Sequence, residues 1–131
     1  MLPCPCESGK HYAKCCEVYH LGTAAPSAEA LMRSRYSAYA LLSEKPDLQG
    51  YLLLTWHPES RPEHLEAESA IKWLGLQVKR YQTLDADHAI VEFVARYKFT
   101  DNFGGKAERL HETSRFERIE NRWYYLDGKF D

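Results

Sequence analysis

The chain is expected to fold as an α+β domain. Three helices come first, then about four antiparallel strands whose curved sheet wraps the helices as a cone, with an N-terminal zinc knuckle in front. Three observations predict this. Four cysteines fall within the first sixteen residues and none follows. Apolar residues then recur at three- and four-residue steps as far as about residue 74, the period of helices. Beyond that point they alternate at every second residue, with short turn signals between the runs.

Length and charge set the bounds. The 131 residues suffice for one compact domain and a small appendage, and no apolar run approaches the roughly 18 residues of a membrane span. A formal net charge of −2 gives no broad attraction for nucleic acid, so any contact with it would be local. Met1-Leu2-Pro3-Cys4 has neither the basic nor the apolar region of a signal peptide, and a cytoplasmic protein is expected.

The cysteines read Cys4-Pro5-Cys6, eight residues, then Cys15-Cys16. Four thiolates fill the tetrahedral shell that Zn²⁺ prefers. The segment holds too little apolar material to fold alone, and metal binding can supply the missing free energy. Disulfides are the first alternative, with three pairings open, but a reducing compartment weighs against them. An iron–sulfur site is a second, although the spacing matches neither usual ferredoxin run. A redox dithiol lacks its C-x-x-C. The expected cofactor is a structural Zn²⁺ on Cys4, Cys6, Cys15 and Cys16, in a knuckle spanning residues 1–20. A closed four-sulfur shell leaves no open position for a substrate. Glu7-Ser8-Gly9-Lys10 is turn chemistry between the cysteine pairs. Neither His11 nor His20 is needed as a ligand.

The body runs from 27 to 131. Ser27 is a candidate N-cap, and Glu29 suits the first turn of a helix from Ala28 to about Ser43. Leu31, Met32, Arg35, Tyr39 and Leu42 mark one face of it. Pro46 interrupts the pattern, and residues 47–56 make a short second helix. A third helix is expected from about Glu63 to Leu74, with Gly75 as its C′ residue. Strands are expected over 76–84, 88–100, 107–119 and 122–126, turning at Asp85-Ala86-Asp87, at 101–105 and at Glu120-Asn121. Short connections between consecutive strands imply an antiparallel meander.

Some polar residues fall on apolar faces. Alternation puts Glu112 and Ser114 on the face of Phe116, and Trp123, Tyr125 and Asp127 together on the next strand. Arg35 lies on the apolar stripe of the first helix. A buried charge is costly unless paired, so an Arg35–Glu112 pair is expected, or Arg33 in place of Arg35, near Tyr36 or Tyr39. The pair is either a packing device or the polar floor of a pocket built from Arg33, Arg35, Tyr39, Glu112, Ser114, Trp123 and Tyr125. His57 is a candidate general base or, more simply, a partner for the carbonyls that end its helix. His64, His88 and His111 look solvated. No nucleophile elbow, phosphate loop or dinucleotide fingerprint is present.

The segment from Cys4 to Cys16 resembles the SEC-C motif, the zinc knuckle also found at the C-terminus of the SecA translocation ATPase. The spacing, Ser8-Gly9-Lys10 and Tyr12 fit, while Glu7 stands where the motif usually has Gly. Leu31-Met32-Arg33-Ser34-Arg35-Tyr36-Ser37-Ala38-Tyr39, Thr55-Trp56-His57-Pro58, Trp73-Leu74-Gly75-Leu76 and Trp123-Tyr124-Tyr125-Leu126-Asp127-Gly128 look like the YchJ family. That resemblance covers nearly the whole chain and implies a nuclear-transport-factor-2-like (NTF2-like) cone. Many family members carry a second SEC-C motif at the C-terminus, and this sequence stops at Asp131 without one.

Three functions are weighed. The first is a non-enzymatic adaptor whose knuckle presents Lys10, His11, Tyr12 and Lys14 to a protein partner, as the SecA knuckle engages a chaperone and the ribosome. The second is a small-molecule binder, or an enzyme of the isomerase or dehydratase kind, with Glu112 and His57 as acid/base candidates and Arg35 orienting an anion. Fold analogy is its main support. The third is RNA or ribosome contact through the knuckle, which the weak net charge disfavours. The SEC-C resemblance favours the first, although Glu7 and Glu17 offset the local lysines.

Overall fold

The structure, a computed structural model, describes residues 2–65, 71–100 and 105–131. A 3₁₀ turn at Tyr12–Lys14 leads into helix α1 (Cys16–His20), followed by α2 (Ala28–Leu41) and α3 (Leu48–Leu54). The strands are β1 (Ile71–Asp85), β2 (His88–Phe99), β3 (Glu108–Ile119) and β4 (Arg122–Phe130). They form one antiparallel sheet in the order β1-β2-β3-β4, the expected meander.

Helix α2 is the strut of the molecule. Ser27 caps it as expected, its hydroxyl accepting the Ala30 N–H at 3.1 Å. A helix packed on one side buries a single stripe. Here Leu31, Met32, Ser34, Arg35, Tyr36, Ser37 and Ala38 are all buried, so more than one side is covered. The sheet, α3 and α1 each contact it. The main core joins Leu31, Met32 and Tyr36 to Val91, Phe93, Ala95, Phe116 and Trp123 of the sheet.

The expected third helix is corrected. Ile71–Leu74 are the start of β1, and residues 66–70 lie outside the described residues. Ile71, Lys72 and Trp73 alternate in burial, a period of two that a helical reading passed over. Gly75 is no helix cap. It sits at an irregularity in the β1–β2 pairing, next to the knuckle. Strand β4 also outruns the expectation, ending at Phe130. A bulge at Leu126 shifts its register, since Arg115 pairs with Asp127 while Phe116 pairs with Tyr125. The shift turns Asp127 outward to Arg115 instead of sharing the face of Trp123 and Tyr125. Glu120 and Asn121 close the β3–β4 hairpin with φ of 49° and 68°, both left-handed as a tight hairpin requires.

The chain after α3 adds a fifth, very short segment to the sheet. Trp56 bridges Tyr125 in parallel. The Tyr125 N–H donates to Thr55 O at 2.8 Å, and the His57 N–H donates to Tyr125 O at 2.7 Å. Neighbouring residues of an extended chain face opposite sides. Trp56 accordingly lies against Tyr125 on the helix side of the sheet, and His57 lies against Tyr124 on the other.

The knuckle is clamped to the body at several points. Arg33 Nη1 donates to Cys6 O at 2.7 Å, and Cys4 Sγ lies 3.4 Å from Ser37 Oγ. His20 bridges the two parts, its Nδ1 accepting from the Tyr12 hydroxyl at 2.7 Å and its Nε2–H donating to Ser34 O at 2.8 Å. Burial holds this imidazole below its ordinary pKa, consistent with a neutral ring used at both nitrogens. Glu7 is the least expected clamp. Its φ is 60°, left-handed, which explains why glycine suits that position. Its carboxylate accepts the Leu76 N–H of β1, and Gly75 leaves the space it needs, because a Cβ there would meet Glu7 Oε2 at 2.8 Å.

The two roles of Glu7 can be separated. Glu7→Ala should cost about 1–2 kcal/mol in chemical denaturation, because it strands the Leu76 N–H. Glu7→Gly should cost less, since glycine adopts the left-handed conformation without steric penalty.

Candidate functional site

Two places concentrate chemistry. The first is the cysteine cluster. The antiparallel bridge Pro3–His11 and the Cys4 N–H donating to Lys10 O at 2.9 Å fold the loop back on itself. Gly9, at φ 89°, makes the reversal. The 3₁₀ turn and α1 then present Cys15 and Cys16 to the first pair. All four sulfurs lie within 4.8 Å of one another. Cys6 and Cys15 are 3.6 Å apart and Cys15 and Cys16 are 4.0 Å apart. A tetrahedron of sulfurs at about 2.3 Å from a central ion has edges of about 3.8 Å, so these separations fit a four-sulfur metal shell. No disulfide links them.

Electrostatics point the same way. The hydrogen bond from Cys16 holds the Cys4 thiol far below its ordinary value, while the bonds with Cys4 and Cys6 push Cys16 far above its own. Four thiols so close, three of them buried, cannot all ionise without a cation between them. Ser8 Oγ lies 3.1 Å from the Cys15 sulfur, a further partner at the rim. Cys4, Cys6 and Cys16 are buried, whereas Ser8–His11 and Ala13–Lys14 are exposed. The cluster can hold a metal ion, and its outer loop faces solvent.

The second place is a cavity of about 280 Å³ between α2 and the concave sheet, close to the lower end of ligand pockets at roughly 300 Å³. Arg35, Tyr39, Glu112, Ser114 and Tyr125 line it. Its walls are largely aromatic, from Tyr36, Trp56, Trp73, Phe93, Phe116 and Phe130. Two candidate residues do not line it. Arg33 turns to Glu29 and Cys6 O instead, and Trp123 lies in the core with Arg118 5.7 Å from its ring. Helical and strand periods place side chains on a face but not along it, which is why both looked eligible.

Arg35 and Glu112 do not form the expected ion pair, and among the described residues neither has a salt-bridge partner. Arg35 Nη1 spends both hydrogens, on Leu52 O and on Thr55 Oγ1, each at 2.7 Å. Its guanidinium lies over two rings, 4.7 Å from the centroid of Tyr125 and 5.2 Å from that of Trp56. Burial lowers its pKa. Glu112 takes both of its hydrogen bonds on one oxygen, Oε2, from the Ser114 hydroxyl at 2.6 Å and the Tyr125 hydroxyl at 3.1 Å. Desolvation pushes Tyr125 above its ordinary value, so its hydroxyl stays protonated and donates. Burial likewise raises Tyr36, to about 12.

Glycine 128 makes this arrangement possible. A Cβ on Gly128 would meet Glu112 Oε2 at 1.9 Å, so the carboxylate is folded flat against the bare Cα of β4. Sequence reasoning missed that role, because the bulge at Leu126 decides which β4 residues face inward.

His57 is not brought to Glu112. It lies on the far side of the sheet, its Nδ1 accepting from the Glu59 N–H at 3.1 Å and its Nε2–H donating to Glu117 Oε1 at 2.7 Å. With both nitrogens engaged it fixes the chain after α3. Glu117 Oε2 meets His88 Nε2 at 2.9 Å, and His57 first, then His88, hold the Glu117 carboxyl below its usual range. His88 also meets Asp85, and His111 meets Glu92 at 2.7 Å, so both are paired surface groups.

Residues 27–128 match the family model described as the YchJ middle NTF2-like domain, and residues 2–17 match the SEC-C motif. A UPF0225 protein of Bordetella pertussis is 52% identical over 129 residues, spanning 95% of this chain and 90% of that one. The solution structure of a SEC-C motif containing protein from Rhodopseudomonas palustris superposes with a TM-score of 0.80 at 33% identity, covering 98% of each chain. The crystal structure of another, from Psychrobacter arcticus, gives 0.76 at 30% identity, covering 98% of this chain and 82% of that one.

Gly128→Ala should lower stability by about 1–3 kcal/mol in urea unfolding, the cost of an overpacked site. The penalty should shrink in a Glu112→Ala background, where the clash has no partner. An unchanged penalty would mean that Glu112 is not what requires the glycine.

Proposed function

This chain belongs to the YchJ family, and from that premise we propose that it is a zinc-dependent protein-interaction module whose knuckle docks onto an acidic partner surface. The observation that carries the reading is the division of the knuckle into two sides. The sulfur side is buried against α2, while Lys10, His11 and Lys14 are turned to solvent on the other; Tyr12, expected beside them, is instead buried and donates to His20. Four thiolates around Zn²⁺ leave no open coordination position, so the metal orders the loop and does no chemistry. Flanking apolar residues, Leu2 at 72% exposure and Val18 at 38%, supply contact area beside the lysines. Glu7, acidic and close to the lysines in sequence, spends its carboxylate on the Leu76 N–H of β1. Among the described residues no helix is long and apolar enough to cross a membrane.

Metal and surface are tested separately. Purified protein should contain a single zinc, and Cys16→Ser should lose it and melt at lower temperature, because Cys16 is 1% exposed and sits among the other three sulfurs. Full occupancy in Cys16→Ser would refute the four-sulfur shell.

For the surface, Lys10→Glu with Lys14→Glu should keep the zinc and the thermal midpoint but lose capture of the partner from host lysate. Capture by the wild type should weaken with salt, as rim charges require. Identical capture by the charge-reversed variant would refute the docking surface. Capture abolished by ribonuclease would transfer the assignment to RNA.

A further inference from the structure

The cavity holds a combination that the knuckle does not explain. Arg35 is 5% exposed and Glu112 is 7% exposed, opposite charges lining one small chamber without touching. Two buried charges left apart are more costly than a contact pair. The protein nevertheless builds the separation. Arg35 is held back by Leu52 O and Thr55 Oγ1 and by the rings of Trp56 and Tyr125. Glu112 is held back by Ser114, by the Tyr125 hydroxyl and by the space over Gly128.

Tyr125 sets the gauge between them. The guanidinium lies over the face of its ring, and the carboxylate takes the hydroxyl at its rim, so the charges stand about one phenol apart. Each keeps capacity to spare. A guanidinium has five N–H groups, of which Nη1 has used two here. Glu112 Oε1 accepts no hydrogen bond among the described residues.

The geometry points to a ligand site for a single aromatic ring that is polar at both ends and neutral overall, with an acceptor toward Arg35 and a donor toward Glu112. The opposed charges cancel, so neither a plain anion nor a plain cation gains the full benefit of the site. Aromatic walls suit a flat ring, which stacks against them or meets them edge-on. A volume of about 280 Å³ admits one ring with its substituents. The site is separate from the knuckle, and its test does not depend on the adaptor reading.

Four probes built on one benzene ring test it: 4-(aminomethyl)benzoate with both polar ends, benzoate with the acceptor only, benzylammonium with the donor only, and toluene with neither. Binding is followed by NMR titration of the zinc-loaded chain. Trp56 and Trp73 line the cavity and Trp123 does not, so their indole N–H signals provide two reporters and an internal control. The two-ended probe should bind at least about tenfold tighter than either one-ended probe, roughly 1.4 kcal/mol. It should move the Trp56 and Trp73 signals and leave Trp123 in place. Glu112→Gln should weaken it about tenfold while leaving benzoate unchanged, the signature of a donor-specific contact. If that variant fails to fold, the wild-type ranking stands as the test.

Benzoate matching the two-ended probe would overturn the proposal in favour of an anion site on Arg35. Benzylammonium matching it would overturn it in favour of an aromatic cage for cations. Equal binding of all four would reveal an unselective apolar void. Failure of every probe to bind at millimolar concentration would show that the cavity takes no such ring.

Discussion

One guanidinium ties the helices to the sheet. Arg35 leaves the middle of α2 and takes Leu52 O and Thr55 Oγ1 at the end of α3. That grip fixes where the chain emerges from α3, and Thr55–His57 is thereby laid along β4. Trp56 then drops onto the helix side of the sheet and His57 onto the other, where Glu117 receives it. The Trp56 side of the cavity wall and the partly covered edge of β4 both depend on one buried cation. Its desolvation is offset by charge-assisted hydrogen bonds and by two ring faces, the combination that lets an arginine stay buried without a carboxylate at contact distance.

The same helix faces two ways, and that explains its composition. Ser34 and Ser37 are fully buried yet belong to no apolar stripe. Ser37 meets the Cys4 sulfur, and Ser34 bonds to the Leu31 carbonyl and the Tyr51 hydroxyl and offers its own carbonyl to His20. Small polar residues let the knuckle and α3 approach α2 closely while satisfying groups that a leucine would strand. Knuckle and cavity are thus built on different faces of one rod, with Arg33, Ser34 and Ser37 turned to the first and Met32, Arg35 and Tyr39 to the second.

Much of this was legible in the sequence for identifiable reasons. The cysteine cluster, the Ser27 cap, the strand order and the inward placing of Glu112, Ser114 and Phe116 depend on local spacing, which a sequence displays directly. What it hid depends on where segments land. The run before Gly75 carries helix-favouring residues, and only the pairing of Ile71 with Phe99 makes its end a strand. One extra residue at Leu126 reverses the faces of all that follow it in β4, so Asp127 turns outward and Gly128 comes beneath Glu112. Arg35 and Glu112 were both seen to point inward, but periodicity carries no distance, and the ring of Tyr125 keeps them apart. Glu7 looked like a departure from a glycine position. Its use became visible only once β1 lay beside it.

That contact with β1 has a consequence for how the molecule behaves in a crowded solution. An outer strand of a sheet is a template on which another chain can add itself. At the β4 side Thr55–His57 occupies part of the template. At the β1 side the knuckle does so, through Glu7 at the Leu76 N–H, and beyond it the strand runs on with Tyr81 and Leu84 exposed. An ion held by the four sulfurs would therefore also help to keep this adhesive border covered. A chain whose knuckle came open would bare part of that border, so losing an ion from the four sulfurs would also favour self-association.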